Sequence, residues 1–290
     1  MDMPSRSGIS FNAAISTCAK AAQWTRGVQL LAETSEANIH PNAIGFNATI
    51  DGCAKVGQWR VAVSLLSAME AAQVAADSVS FSAALSACER ASCWEMGLAL
   101  LSQMEEASFT ADSITCAAAI SACEKGSQWQ LGLGLLGSLP SRRLLADVVC
   151  FNAALSACEK AAQWPMALQI LHDMFAMRQL ADQVTFNAAM SACQQGGKWR
   201  RVLSLLAVMP ATRVKADAIG YHVAVSASLR AGGWRVTLQL LSDVRATEVG
   251  ASEVSLAVAS GAFERAQQGR WLLQTLMEMS RRIESSLFGV

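Results

Sequence analysis

From Val148 to Lys160 the chain reads VVCFNAALSACEK, and its apolar positions fall three and four apart. Phe151, Ala154, Leu155 and Cys158 form an i, i+3, i+4, i+7 stripe, which predicts a helix with one buried side. After a short connector, Trp164, Ala167, Leu168 and Leu171 form a second stripe, extended by Met174. Pro165 stands near its start, where a missing N–H costs little. So short a connector leaves room only for a tight antiparallel pair.

The pair returns every 35 residues. Its first aromatic falls at Phe11, Phe46, Phe81, Phe151, Phe186 and Tyr221, with Cys116 and Leu256 in the two remaining slots. Trp24, Trp59, Trp94, Trp129, Trp164, Trp199 and Trp234 keep the same step, and Gly269 takes the eighth slot. The repeats are 8–42, 43–77, 78–112, 113–147, 148–182, 183–217, 218–252 and a degenerate cap at 253–287. Residues 1–7 lead in and 288–290 trail. Asn42, Asp77, Asp112, Asp147, Asp182, Asp217 and Ser252 close the repeats, and all are good helix N-caps. A two-helix repeat cannot bury both stripes alone, whereas stacked repeats can. The expected fold is all-α: an α-solenoid, a right-handed superhelix of eight helix-turn-helix repeats with a period of 35.

Composition adds exclusions. The chain is 52% apolar with a mean hydropathy of +0.29, yet no apolar run approaches the roughly 18 residues that would cross a membrane. Its hydrophobicity is therefore expected to be internal, between stacked helices. The start, MDMPSRSGIS, has no apolar core, so no presequence is visible. Cys18, Cys53, Cys88, Cys123, Cys158 and Cys193 are one per repeat, with no CxxC pair. That spacing suits neither a metal site nor a disulfide framework, and predicts small buried residues. A formal net charge of zero argues against a strongly basic nucleic-acid binder.

The first helix has a second recurring side. Asn152 lies about 100° around from Phe151, near Val149, Ser156, Glu159 and Lys160. β-Branched Ile9, Ile44, Val79, Ile114, Val149, Val184, Ile219 and Val254 repeat there. So do the cations Lys20, Lys55, Arg90, Lys125, Lys160, Arg230 and Arg265, with Gln195 the exception. A line of cations on one solenoid face could follow phosphates despite zero net charge. A hydrogen-bonding side chain beside a stiff apolar one could hold an unstacked base by edge and face. If each of the seven cations met a phosphate, the log–log salt slope would be about −5, less what Glu89, Glu124, Glu159 and Glu264 offset.

These residues resemble pentatricopeptide repeats over 8 to about 287, essentially the whole chain. The resemblance rests on the period, the Phe/Tyr-Asn pair, the late basic residue, the Leu-Leu and Met of the second helix, and the closing Asp. It implies that the residue after the aromatic and the last residue of the repeat read one base, with the β-branched residue packing beside it. The implied reader pairs are Asn12 with Asn42, Asn47 with Asp77, Ser82 with Asp112, Asn152 with Asp182, and Asn187 with Asp217. The implied base-packing residues are Ile9, Ile44, Val79, Ile114, Val149, Val184 and Ile219. The implied preference is pyrimidine-U-purine-any-U-U, 5′ to 3′. Ala117 with Asp147 and His222 with Ser252 depart from the pattern, and Ala257 with Leu287 has no polar reader. The aspartates have a second explanation in helix capping, and the two roles can coexist. Asn12, Asn47, Asn152 and Asn187 are not needed as caps, and each costs helix propensity of up to about 0.7 kcal/mol.

The expected function is sequence-selective binding of single-stranded, pyrimidine- and U-rich RNA, in organellar RNA processing, stability or translation. Plastid or mitochondrion comes from the resemblance alone, with the cytoplasm as the alternative. A tetratricopeptide-like protein-binding scaffold is the competing reading, though its period is 34 residues. No catalysis, cofactor, metal or small-molecule substrate is expected: His40, His172 and His222 are scattered, and no HExxH, GK[ST] loop or nucleophile elbow occurs. The chain is expected to be a monomer, with protein partners left open and no membrane contact.

Overall fold

The computed structural model describes residues 3–36, 42–107, 109, 111–142 and 144–246. The eighth repeat, Arg265 and Ser252 included, lies outside the described residues, as does the side chain of Ile9. Among the described residues every regular element is helical.

The first helices of the hairpins are α1 (Met3–Lys20), α3 (Ala43–Val56), α5 (Ser78–Arg90), α7 (Ser113–Lys125), α9 (Val148–Lys160), α11 (Gln183–Gln195) and α13 (Ala218–Arg230). The second helices are α2 (Trp24–Glu36), α4 (Trp59–Ala71), α6 (Trp94–Glu106), α8 (Trp129–Ser138), α10 (Trp164–Ala176), α12 (Trp199–Val208) and α14 (Trp234–Ala246). Each second helix begins on its tryptophan. α8 and α12 are shorter and pass into 3₁₀ turns at Pro140–Arg142 and Met209–Thr212. The proline in each turn has no N–H to continue the α-helical ladder.

The helix-to-helix turn is the same local device throughout. Gln58 N–H reaches the Cys53 carbonyl at 2.9 Å, Cys93 N–H reaches Cys88 at 2.9 Å, and Lys198 N–H reaches Cys193 at 2.8 Å. These are Schellman closures, which need a left-handed residue just past the helix. Gly57, Gly197 and Gly232 supply it in three repeats, while Ala22, Ser92, Ser127 and Ala162 adopt positive φ without the freedom of glycine.

The chain divides into two blocks, residues 1–161 and 162–290. Within the first block, α1, α3, α5, α7 and α9 pack each on the next, and every second helix packs between its own first helix and the following one. Second helices do not approach one another as closely, so the first helices form the continuous inner layer of this stack. In the second block α11 packs on α13 in the same manner, with α12 and α14 outside. The core is the predicted stripe: Phe151, Ala154, Leu155 and Cys158 are 0–1% exposed, and Ala167 and Met174 are fully buried. Burial pushes the Cys53, Cys158 and Cys193 thiols up to about 11, and the Cys88 thiol, with Cys93 adding to the burial, up to about 12. These are packing groups. No helix among the described residues is long and apolar enough to cross a membrane.

Candidate nucleic-acid interface

The residues closing each repeat are helix N-caps. Side-chain oxygens of Asn42, Asp77, Asp112, Asp147, Asp182 and Asp217 accept the amide three residues on, at 2.8–3.1 Å. Capping anchors the carboxylate at the start of the first helix, where the positive helix end favours it.

From the preceding first helix, the asparagine of the predicted pair reaches the same carboxylate. Asn47 Nδ2 donates to Asp77 Oδ1 and Oδ2 at 3.1 and 3.4 Å. Asn187 Nδ2 donates to Asp217 Oδ1 and Oδ2 at 3.1 and 3.2 Å. Asn47–Asp77 and Asn187–Asp217 are thus physical pairs, and in each the aspartate serves as both cap and partner. Burial pushes the Asp77 carboxyl up, but hydrogen bonds from the Ser80 amide and hydroxyl, the Asn47 amide and the Val79 amide outweigh it, so its pKa lies below the ordinary value. Asn12, Ser82 and Asn152 stand half-buried at the corresponding places on α1, α5 and α9, with Asn42, Asp112 and Asp182 exposed at their caps. Ala117, which breaks the pattern, is buried.

The predicted base-packing residues share an unusual property for apolar side chains in a stacked array. Ile44, Val79, Ile114, Val149, Val184 and Ile219 are all 56–68% exposed. Ile44 stands one helical turn before Asn47, and Val184 one turn before Asn187, so each pair shares a side of its helix.

The predicted cations lie at the far ends of the first helices, and several engage the neighbouring repeat. Lys125 Nζ is 3.0 Å from Glu89 Oε1, and Lys160 Nζ is 2.9 Å from Glu124 Oε1. Lys55 pairs with Asp51 at 2.8 Å and donates to the Ala19 carbonyl at 3.1 Å, while Arg90 Nη1 donates to the Lys55 carbonyl at 3.5 Å. Their charge is therefore partly offset within the stack. Lys20 and Arg230 are exposed at the ends of α1 and α13. Among the described residues no His, Cys, Asp and Glu cluster could hold a metal ion.

The sequence reading missed the hydroxyls behind the pairs. Ser80, Thr115 and Thr185 are 0–2% exposed and bond the capping aspartates. Their signal was present: the third place of those repeats holds Ser or Thr, the N3 partner of a capping box.

The family profile for the pentatricopeptide repeat domain matches residues 29–90, and the profile for the single PPR repeat matches 79–109 and 184–211. These matched stretches are pentatricopeptide repeats. The crystal structure of the pentatricopeptide repeat protein PPR10 from maize superposes over 95% of this chain with a TM-score of 0.83 at 16% identity. The chain spans 39% of the length of that structure, and at this identity the likeness establishes the shared fold. The pentatricopeptide repeat domain of Arabidopsis thaliana protein-only RNase P 1, crystallised with tRNA, aligns over 62% of this chain and 95% of its own. Its TM-score is 0.55 at 11% identity. No curated protein sequence matches the chain.

Proposed function

We propose that this pentatricopeptide repeat protein binds single-stranded RNA in a sequence-selective way, one base per repeat. The observation that carries the reading is the exposed β-branched side chain recurring beside each hydrogen-bonding pair. Ile44 and Val79, 63% and 56% exposed, neighbour Asn47–Asp77 along the chain. Val184 and Ile219, 60% and 61% exposed, neighbour Asn187–Asp217. Stiff apolar groups suit the two faces of an unstacked base, and the pair suits its edge. For uracil, the ring N3–H would donate to the aspartate and a carbonyl would accept the second proton of Asn Nδ2. A duplex, with its bases stacked and paired, offers no such edge.

The preferred order is pyrimidine-U-purine-any-U-U, read 5′ to 3′ from the N-terminal repeat. The family resemblance supports a role in organellar RNA processing, stability or translation, in plastid or mitochondrion. Fluorescence-anisotropy titration of the full chain with that strand, its DNA counterpart and an RNA duplex tests the reading. The single-stranded RNA should bind tightest, with a log–log salt slope shallower than about −5, because some cations are already paired. Equal binding to duplex would overturn base reading. Indifference to all three strands would favour the protein-binding scaffold.

A further inference from the structure

The Asn47–Asp77 and Asn187–Asp217 pairs use the same residue types but differ behind the asparagine. At Asn47 the buried Ser80 hydroxyl shares its proton between Asn47 Oδ1 at 2.6 Å, the shorter contact, and Asp77 Oδ1 at 2.9 Å, and Ser80 Oγ accepts the Asp77 N–H at 3.2 Å. At Asn187 the corresponding residue is Gly220, and Asn187 Oδ1 is buried with no hydrogen-bond partner. A Cβ on Gly220 would lie 3.0 Å from that oxygen, so a serine there would place its hydroxyl beside it. Gly45 faces Asn12 Oδ1 at the same 3.0 Å. Ser80 therefore gives its asparagine a second anchor, and Gly220 gives none.

We propose that the third residue of a repeat is a positioning residue that sets the selectivity of the reader pair before it: a hydroxyl holds the asparagine amide at both ends, and glycine leaves it held by the aspartate alone. The inference rests on the base-reading function proposed above. A held amide keeps Nδ2 toward the base and donates only to a carbonyl, as uracil O4 offers at the place where cytosine carries its amino group. To take cytosine, Oδ1 must swing out and accept the exocyclic amino group. At Asn47 that motion gives up the bond from Ser80. Both asparagines give up their Nδ2 bonds to the aspartate in that motion, but Asn187 has no bond to Oδ1 to lose, because that oxygen is an unmet acceptor whose burial is itself unfavourable. One hydrogen bond of typical worth corresponds to about five-fold in affinity.

The test uses the full chain and single-stranded RNAs of the proposed order, with U replaced by C at the second or the sixth nucleotide. The wild type should prefer U over C about five-fold more strongly at the second nucleotide, read by Asn47, than at the sixth, read by Asn187. Ser80→Ala should erase that difference, and Ser80→Thr should keep it, because threonine occupies the same place at Thr185. Gly220→Ser should raise the preference at the sixth nucleotide alone. A purely structural role would shift affinity for every strand equally and leave these ratios unmoved. A wild type that binds none of the strands overturns the function and this inference together. A wild type that binds, with ratios unchanged by Gly220→Ser and Ser80→Ala, overturns this inference alone.

Discussion

Gly126, at the end of α7, lies directly against the Trp94 side chain that opens α6 in the preceding hairpin. A Cβ added there would fall 2.8 Å from Trp94 Cγ and 3.2 Å from its Cβ. Gly126 has φ −80°, an ordinary backbone conformation, so the glycine is needed for space alone. Helix propensity alone would favour alanine, whereas the contact disfavours it. Gly126→Ala is expected to destabilise by about 1–3 kcal/mol through overpacking, read as a fall in the melting temperature. A rise would show that the tryptophan yields freely.

Ser127 follows in the left-handed region at φ 59°, where three sister repeats carry glycine. An L-residue there costs about 1–2 kcal/mol, partly offset by the greater chain entropy that glycine loses on folding. Ser127→Gly should raise stability by about 1 kcal/mol, measured by urea denaturation with an unchanged m-value.

Glu89 and Glu124 hold Lys125 and Lys160 across successive repeats. Replacing both glutamates by glutamine removes the competing carboxylates. If the lysines then meet phosphates, RNA binding should tighten and its log–log salt slope should steepen by about 0.7 per freed lysine. An unchanged slope would mean that these lysines do not face the strand.

The depressed pKa of Asp77 fixes a sign for acid. The native state binds its proton less readily than the unfolded chain, so its stabilisation is complete above the ordinary value of 3.8 and is lost as pH falls through the lower native value. Asp77→Asn should remove this part of the acid dependence while retaining a cap. It also recreates the Asn–Asn pair of the first repeat, so preference at the second nucleotide should relax from uracil toward either pyrimidine. Parallel acid melts and titrations with U- and C-substituted strands check both outcomes.

Thiol reactivity separates packing cysteines from accessible ones. Cys53, Cys88, Cys116, Cys150, Cys158 and Cys193 are buried with thiols raised to about 11–12, so they should resist iodoacetamide at pH 8 in the native protein. Cys18 and Cys93 are only half-buried and should label first, as peptide mapping would show.

The local architecture was legible in the chain itself. Helical stripes, the tryptophan opening each second helix and the aspartate capping each first helix depend on residues three or four apart, where backbone geometry alone decides who meets whom. The pairing of Asn47 with Asp77 was reached only through family resemblance, because no local rule links residues 30 apart. What remained for the tertiary structure was the register between neighbouring hairpins. It brings Ser80 to Asn47 across 33 positions and Lys125 to Glu89 across 36, and it leaves Asn187 Oδ1 facing a glycine. Periodicity shows that such residues share a face. Which atoms touch depends on how closely one helix settles against the next, and that is set by the packing of whole side chains between them.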